Sequence, residues 1–316
     1  MEQVLVFANP IAGRGRGRAI ANQLQKHLVS HGYDVTVFTQ QAESAQWQGL
    51  PDTIKAAIVI GGDGTLRGVA QWAIQNAKAA CAAPGARTRA EAVDRLCPYP
   101  LLVVPMGTAN LMGKHLGIKW NERTLGEEVV EALEANRLVN LDVATTRDGI
   151  FLLMAGVGFD ASVVHELGRI RSGPIDITNY VLPAVKAVAE YRFSKLAVTV
   201  DGKRVFDEGP AMAFVGNIPE YGTGFPILPL AKADDQLLDV CVMPCSTRRR
   251  LLELALAVAS GEHLRQEDVV YLKGTSVRIE SPDAVPVQVD GEPAGTTPLQ
   301  IDLLPGRIPS IVPPNQ

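Results

Sequence analysis

Cysteine is scarce in this sequence, and the four present, Cys81, Cys97, Cys241 and Cys245, include no CxxC pair and no histidine at zinc-ligand spacing. That argues against a structural zinc site and leaves the reduced thiols of a cytosolic protein as the expectation. No apolar run reaches the roughly 18–20 residues that span a bilayer, so any membrane contact is expected to be peripheral. The chain opens on Met1-Glu2-Gln3 without a basic-then-apolar leader, which predicts no secretion. Excess positive charge is missing too. A formal net charge of −4 argues against a nucleic-acid binder driven by global electrostatics. The five histidines form no HExxH spacing, and neither Ser162 nor Ser246 sits in a nucleophile elbow. What remains is an ordinary globular composition over 316 residues, enough for two domains with their own cores.

The most specific stretch is Ala57-Ile58-Val59-Ile60-Gly61-Gly62-Asp63-Gly64-Thr65-Leu66, an apolar run ending in a glycine-rich turn that carries one acid and one hydroxyl. Gly61, Gly62 and Gly64 present no Cβ, so an anion can sit against backbone amides. From Leu66 onward Val69, Ala70 and Ala73 share a stripe, which predicts a helix whose N-terminus faces that anion. Asp63 would repel phosphate unless a divalent cation lay between them, as Mg²⁺ commonly does in nucleotide sites. The alternative is a strand-to-helix turn that merely needs small residues.

In chain order, Val4-Leu5-Val6-Phe7 reads as a strand buried on both faces, followed by a helix bearing Ile20, Leu24 and Leu28 on one side. Between them, Asn9-Pro10-Ile11-Ala12-Gly13-Arg14-Gly15-Arg16-Gly17-Arg18 reads as a phosphate-contacting loop or as a solvated basic turn. Thr39 closes a second strand, at the edge where α/β ligand sites lie. Residues 76–98 turn to Ala, Arg, Pro and Gly and read as a surface insertion. Leu101-Leu102-Val103-Val104 then runs into Pro105-Met106-Gly107-Thr108-Ala109-Asn110, a second small-residue turn between strand and helix. After about Asn140, Asp-Gly turns punctuate alternating strands, which sets a domain boundary: 1–140 as a nucleotide-binding α/β domain, 141–316 as a β-rich domain. Within the latter, Thr247 to Ala259 reads as a helix packed among strand connections rather than on lipid.

These motifs resemble the diacylglycerol kinase catalytic-domain family of lipid kinases, which includes sphingosine kinases. The resemblance covers nearly the whole chain: Asn9-Pro10, Gly61 to Thr65, Pro105 to Asn110, Ala155 to Ala161, Gly216-Asn217 with Tyr221 to Phe225, Asp234 to Asp239, and Val289-Asp290-Gly291-Glu292-Pro293 follow in the family's order. It implies a Rossmann-like domain of the NAD kinase type, a sandwich-like second domain, and an active site in the cleft between them. ATP would be bound by Thr39, Gly62, Asp63, Gly64, Thr65, Leu66, Arg67, Gly68 and Thr108, with Asn9 and Arg14 in the phosphate loop. Asp63 would anchor a catalytic Mg²⁺ and Glu292 would accept the proton of a lipid hydroxyl, such as that of diacylglycerol. A structural Mg²⁺ would rest on the Asp235 side chain and the backbone oxygens of Lys232 and Leu237. The resemblance further implies a cytoplasmic protein at the inner face of a membrane, with a homodimer left open and no nucleic-acid partner. The lipid pocket would draw on Phe159, Tyr180, Leu182 and Phe225.

Three departures stand out. Arg67-Gly68 replaces the family's Asn-Glu, Leu111 replaces an acid found in many members, and Gln236 replaces a glycine. Two alternatives therefore stay open: a kinase of a soluble dinucleotide such as NAD, and a nucleotide-binding regulatory protein without turnover.

Overall fold

The computed structural model describes residues 2–45, 53–82, 96–97, 99–170, 191–222 and 224–314. They divide into two compact units, Met1–Val143 with Pro305–Gln316, and Ala144–Leu304.

The first unit is α/β. Strands β1 (Gln3–Ala8), β2 (Asp34–Phe38), β3 (Ile54–Gly61) and β4 (Leu101–Pro105) form a parallel sheet in the order β4-β3-β1-β2. Val4, Leu5, Val6 and Phe7 are all buried, which is why β1 is apolar at every position rather than at alternate ones. Helix α1 is a single turn (Ala12–Gly15), and α2 (Gly17–Ser30) follows with Ala21, Leu24 and Leu28 buried on the sheet side. Helix α3 (Asp63–Ala82) buries Leu66, Val69, Ala70 and Ala73, the stripe expected from the sequence. Helices α4 (Leu111–His115) and α5 (Leu125–Ala135) lead to β5 (Leu138–Thr146). α3 continues to Ala82, into the stretch 76–98 expected as an insertion. Residues 83–95 of it lie outside the described residues.

The second unit is antiparallel. Its strands are β6 (Gly149–Phe151), β7 (Met154–Val157), β8 (Lys195–Val200), β9 (Lys203–Gly216), β10 (Leu238–Pro244), β11 (Val270–Gly274), β12 (Ser276–Glu280), β13 (Pro286–Val289), β14 (Glu292–Thr296) and β15 (Leu299–Ile311). Strand β9 is shared. Its first half pairs with β8, and its second half, from Ala211 to Gly216, lies between β7 and β10. One strand serving two sheets is how a sandwich corner is made, and the core between the sheets is nearly all Val, Ile, Leu and Ala. Helix α6 (Phe159–Ile170) packs on β13 and β14, and α7 (Arg248–Ala259) is capped by the Thr247 hydroxyl, which accepts from the Arg250 amide.

The end of the chain returns to the first unit. Residues 305–316 belong with the first unit rather than with the β-rich one, because β15 continues past Leu304 and pairs Ser310 and Ile311 in parallel with Leu101 and Leu102 of β4.

Candidate functional site

In the first unit three turns converge at the C-terminal edge of the parallel sheet, where β1, β3 and β4 end. Hydrogen bonds from the Asn9 amide to Ile60 O (3.0 Å), the Gly13 amide to Met106 O (2.8 Å) and the Met106 amide to Gly61 O (2.8 Å) tie them together. The contact is backbone on backbone. A Cβ on Gly107 would lie 2.5 Å from Gly62 Cα, and one on Gly17 would lie 2.1 Å from Asn9 O. Asn110, at φ 51°, closes its own turn by accepting from the Gly107 amide (2.7 Å) and donating to Gly107 O (2.8 Å). Asn9 Nδ2 donates to the Thr65 hydroxyl at 3.5 Å. This edge, with β1 and β3 adjacent and the chain leaving them in opposite directions, is the topological switch point at which open α/β sheets bind ligands.

Asp63 opens α3 and clamps a neighbouring element: its Oδ2 accepts from the Leu111 amide at 3.0 Å and its Oδ1 from the Met112 amide at 3.1 Å. Each carboxylate oxygen keeps a further lone pair. A single carboxylate of this kind fits a Mg²⁺ carried mainly by phosphate oxygens and water. Gly64 and Thr65 lie in the first turn of the 20-residue α3, where amides and the helix dipole favour an anion. A Cβ on Gly64 would meet no atom within 4 Å, so space is open there. The Leu66 side chain, in contrast, is buried in the core, and only its backbone is available to a ligand. Thr39 follows β2 on the same sheet edge, Thr108 is exposed on the third turn, and Arg67 and Gly68 continue α3 half-buried. Arg14 is exposed at φ 59°, whereas Arg16 is engaged with Glu122 at 3.1 Å and with Gly13 O at 3.2 Å. A groove of about 640 Å³ between α2 and α5 contains none of these motif residues.

In the second unit, Glu292 is the first residue of β14, opposite Val289 across a two-residue turn. Asp290 (φ 49°) and Gly291 (φ 79°) both adopt positive φ, as a type I′ turn requires. The Asp290 carboxylate anchors that turn by accepting from the amides of Leu152 (3.2 Å), Leu153 (3.0 Å) and Met154 (3.1 Å). Gln288 adds a second tie: its Oε1 accepts from the Gly291 amide at 2.9 Å, and its Nε2 donates to Asp160 Oδ2 at 3.2 Å. Asp160, buried in the first turn of α6, is pushed up to about 7 by burial, against the lowering effect of its hydrogen bonds. It supports the hairpin from within the core.

The expected metal seat at Asp235 is taken by a side chain. Lys273 Nζ lies 2.7 Å from Asp235 Oδ2, and Asp235 Oδ1 accepts from the Leu237 amide at 3.1 Å. Asp235, Lys232 and Leu237 therefore do not fit a divalent cation: an ammonium already stands against the carboxylate. Of the expected lipid-pocket residues, Phe159 stacks edge-on against Tyr191 (5.3 Å) and Phe225 is 44% exposed, while Tyr180 and Leu182 lie outside the described residues.

Sequence reasoning did not single out Gly107, Gln288, Asp290 or Lys273. The first and third sit inside recognised motifs, where their turn chemistry was legible. Gln288 and Lys273 act across strands, and nothing local marks them.

Comparison with known proteins agrees with these elements. Residues 3–146 match the family model described as diacylglycerol kinase catalytic domain, and residues 154–312 match the one described as YegS C-terminal NAD kinase beta sandwich-like domain. The chain is 24% identical over 314 residues to a diacylglycerol kinase of Mycobacterium tuberculosis, covering 97% of this chain and 94% of the relative. It is 21% identical over 294 residues to a protein of Shewanella frigidimarina named as a probable YegS-like lipid kinase, covering 90% and 86%. The crystal structure of a diacylglycerol kinase from Bacillus anthracis superposes with a TM-score of 0.69 at 24% identity, over 99% of this chain and 98% of that one. That likeness is one of fold.

Proposed function

The chain belongs to the diacylglycerol kinase catalytic-domain family with a YegS-type C-terminal domain, and from that premise we propose that it transfers the γ-phosphoryl group of ATP to a hydroxyl of a glycerolipid such as diacylglycerol. The observation that carries the reading is the meeting of three glycine-bearing turns around Asp63 at the open end of α3. Backbone amides of Gly62, Gly64 and Thr65 hold phosphate oxygens, Arg14 and Arg67 add positive charge, and Thr39 and Thr108 supply hydroxyls to the nucleotide. Asp63 would hold Mg²⁺, which when bound would supply charge neutralisation at the phosphates. Glu292 receives the hydroxyl proton as the lipid oxygen bonds to the γ-phosphorus and the bond to the β,γ-bridging oxygen breaks, releasing ADP. Positioning and charge neutralisation supply most of the acceleration.

The lipid is met at a membrane surface. Among the described residues no helix is long and apolar enough to cross a bilayer, but α7 buries Leu251, Leu254 and Val258 on one face and exposes Leu252 (57%) and Leu256 (73%) on the other, beside Arg248 and Arg249. Leucines flanked by arginines suit an anionic lipid interface.

Purified protein with Mg²⁺, labelled ATP and a mixed lipid extract is expected to yield labelled lipid, and Glu292→Gln to lower turnover by ~10²–10⁴. Label appearing in NAD instead would reassign the acceptor. ATP binding without transfer to any acceptor would reduce the protein to a nucleotide sensor, and a Glu292→Gln rate near that of the parent would remove the base.

A further inference from the structure

We propose that the ammonium of Lys273 permanently fills the seat at Asp235 where the family resemblance implies a structural divalent cation, so that this chain fastens that part of the second unit with an internal charge and binds no metal there. Lys273 on β11 stands directly opposite Asp239 on β10. From that register its Nζ reaches three oxygens: Asp235 Oδ2 at 2.7 Å, Asp239 Oδ2 at 2.9 Å and Leu230 O at 3.3 Å. The ammonium donates hydrogen bonds to Asp235 Oδ2 and Leu230 O, and the contact with Asp239 Oδ2 is an ion pair. The other carboxylate oxygens are occupied as well, Asp235 Oδ1 by the Leu237 amide (3.1 Å) and Asp239 Oδ1 by the Tyr271 hydroxyl (2.6 Å).

Asp239 is fully buried, and a buried carboxylate needs a partner charge. Lys273 supplies it from within the chain. A divalent ion approaching Asp235 meets that positive charge first. The turn itself is not what has changed: Gln236, standing where glycine is usual, adopts φ 60°, the left-handed conformation a glycine would take. The difference lies in the cation. β11 also grips the backbone of Leu230 at both ends, since Tyr271 Oη accepts from its amide at 3.4 Å while Lys273 donates to its carbonyl. The connection before β10 is thus held whatever the free Mg²⁺ concentration, and metal dependence is confined to the nucleotide.

The test uses the full chain without nucleotide, so it reads the same whether or not the protein proves to be a kinase. Melting temperature is measured in EDTA and in millimolar MgCl₂, and Mn²⁺ retention by equilibrium dialysis. The parent protein is expected to melt at the same temperature in both, as is Lys273→Arg. Lys273→Met, which leaves two acids without their cation, is expected to melt lower in EDTA, to recover with Mg²⁺, and to retain one Mn²⁺ per chain. A Lys273→Met protein that melts like the parent, or stays low whatever the metal, would overturn the proposal. Should that variant not fold, dialysis of the parent and Asp235→Asn decides alone. Mn²⁺ held by the parent and lost in Asp235→Asn overturns the lysine seat; equal retention, or none, upholds it.

Discussion

At Gly64 fold and function make opposite demands on one methyl group. Alanine there meets no atom within 4 Å and lies in the first turn of α3, where the helix propensity gained is up to ~1 kcal/mol. If phosphate lies against this turn, the same methyl enters its place. Gly64→Ala is therefore expected to raise the melting temperature of the free protein while weakening ATP binding by at least about tenfold, read by calorimetry. Gly107→Ala should lose both, because its Cβ would fall 2.5 Å from Gly62 Cα, and backbone cannot swing aside. Asp160 makes a prediction in pH. Its carboxyl in the folded chain is pushed up to about 7 from the 3.8 of an unperturbed aspartate, through burial. Between those values the unfolded chain has released the proton and the folded chain still binds it, so stability falls as pH rises from about 4 to about 7 and is level above. Asp160→Asn, which keeps the neutral shape, should remove that fall, by ~1.4 kcal/mol for each unit of the shift. Urea melts of both proteins across that range check it, and parallel pH curves would show that the site is not desolvated as described.

Among the elements, α7 carries the clearest division of labour. Its buried side needs Leu251, Leu254 and Val258, but the fold has no use for Leu252 and Leu256. Leu252→Glu with Leu256→Glu should leave stability and turnover of a water-soluble acceptor unchanged, yet cut binding to phosphatidylglycerol vesicles by ~100-fold or more, since each leucine contributes ~1.5–3 kcal/mol on full burial. Sedimentation with vesicles reads the difference, and unaltered binding would remove the membrane contact proposed for α7. The sequence pointed to a helix here but favoured one packed among strand connections, because its leucines and alanines cover most of the circumference. Only tertiary packing divides them into a covered and an uncovered side. The same limit explains the rest of what was and was not legible. Gly61 to Thr65, the continuous apolar strands and the Asp-Gly turns announce themselves locally, since each is a demand of backbone geometry on a few adjacent residues. Lys273 meets Asp235 across 38 positions and Gln288 meets Asp160 across 128, and a single sequence carries no signal for such pairs. Gln236 stands where the family has glycine, and it adopts φ 60°, the conformation a glycine would take, which a sequence alone does not disclose.

At the level of the whole molecule, the second unit is one contiguous piece, Ala144–Leu304, while the first is assembled from both ends of the chain. The first unit takes its last strand partner from the other end of the sequence: Ile308, Ser310 and Ile311 are fully buried, Ser310 Oγ donates to Leu101 O at 3.2 Å, the Leu96 amide to Arg307 O at 2.9 Å and the Val312 amide to Arg137 O at 3.0 Å. A fragment ending at Val143 would expose the edge of β4 and the apolar surface that Ile308 and Ile311 cover, ~1.5–3 kcal/mol for each isoleucine, against total stabilities of only ~5–15 kcal/mol for a domain. Such a fragment is expected to be largely unfolded or aggregated. Joining residues 305–316 to it through a flexible linker should restore a cooperative melt and, because Gly61 to Thr65 and Pro105 to Asn110 lie wholly within this unit, measurable ATP binding without transfer. Circular dichroism on the two fragments decides. If the piece ending at Val143 folds as well without the returning segment as with it, then β3 and β4 hold themselves, and the pairing of Ser310 and Ile311 with Leu101 and Leu102 contributes nothing to the nucleotide-binding unit.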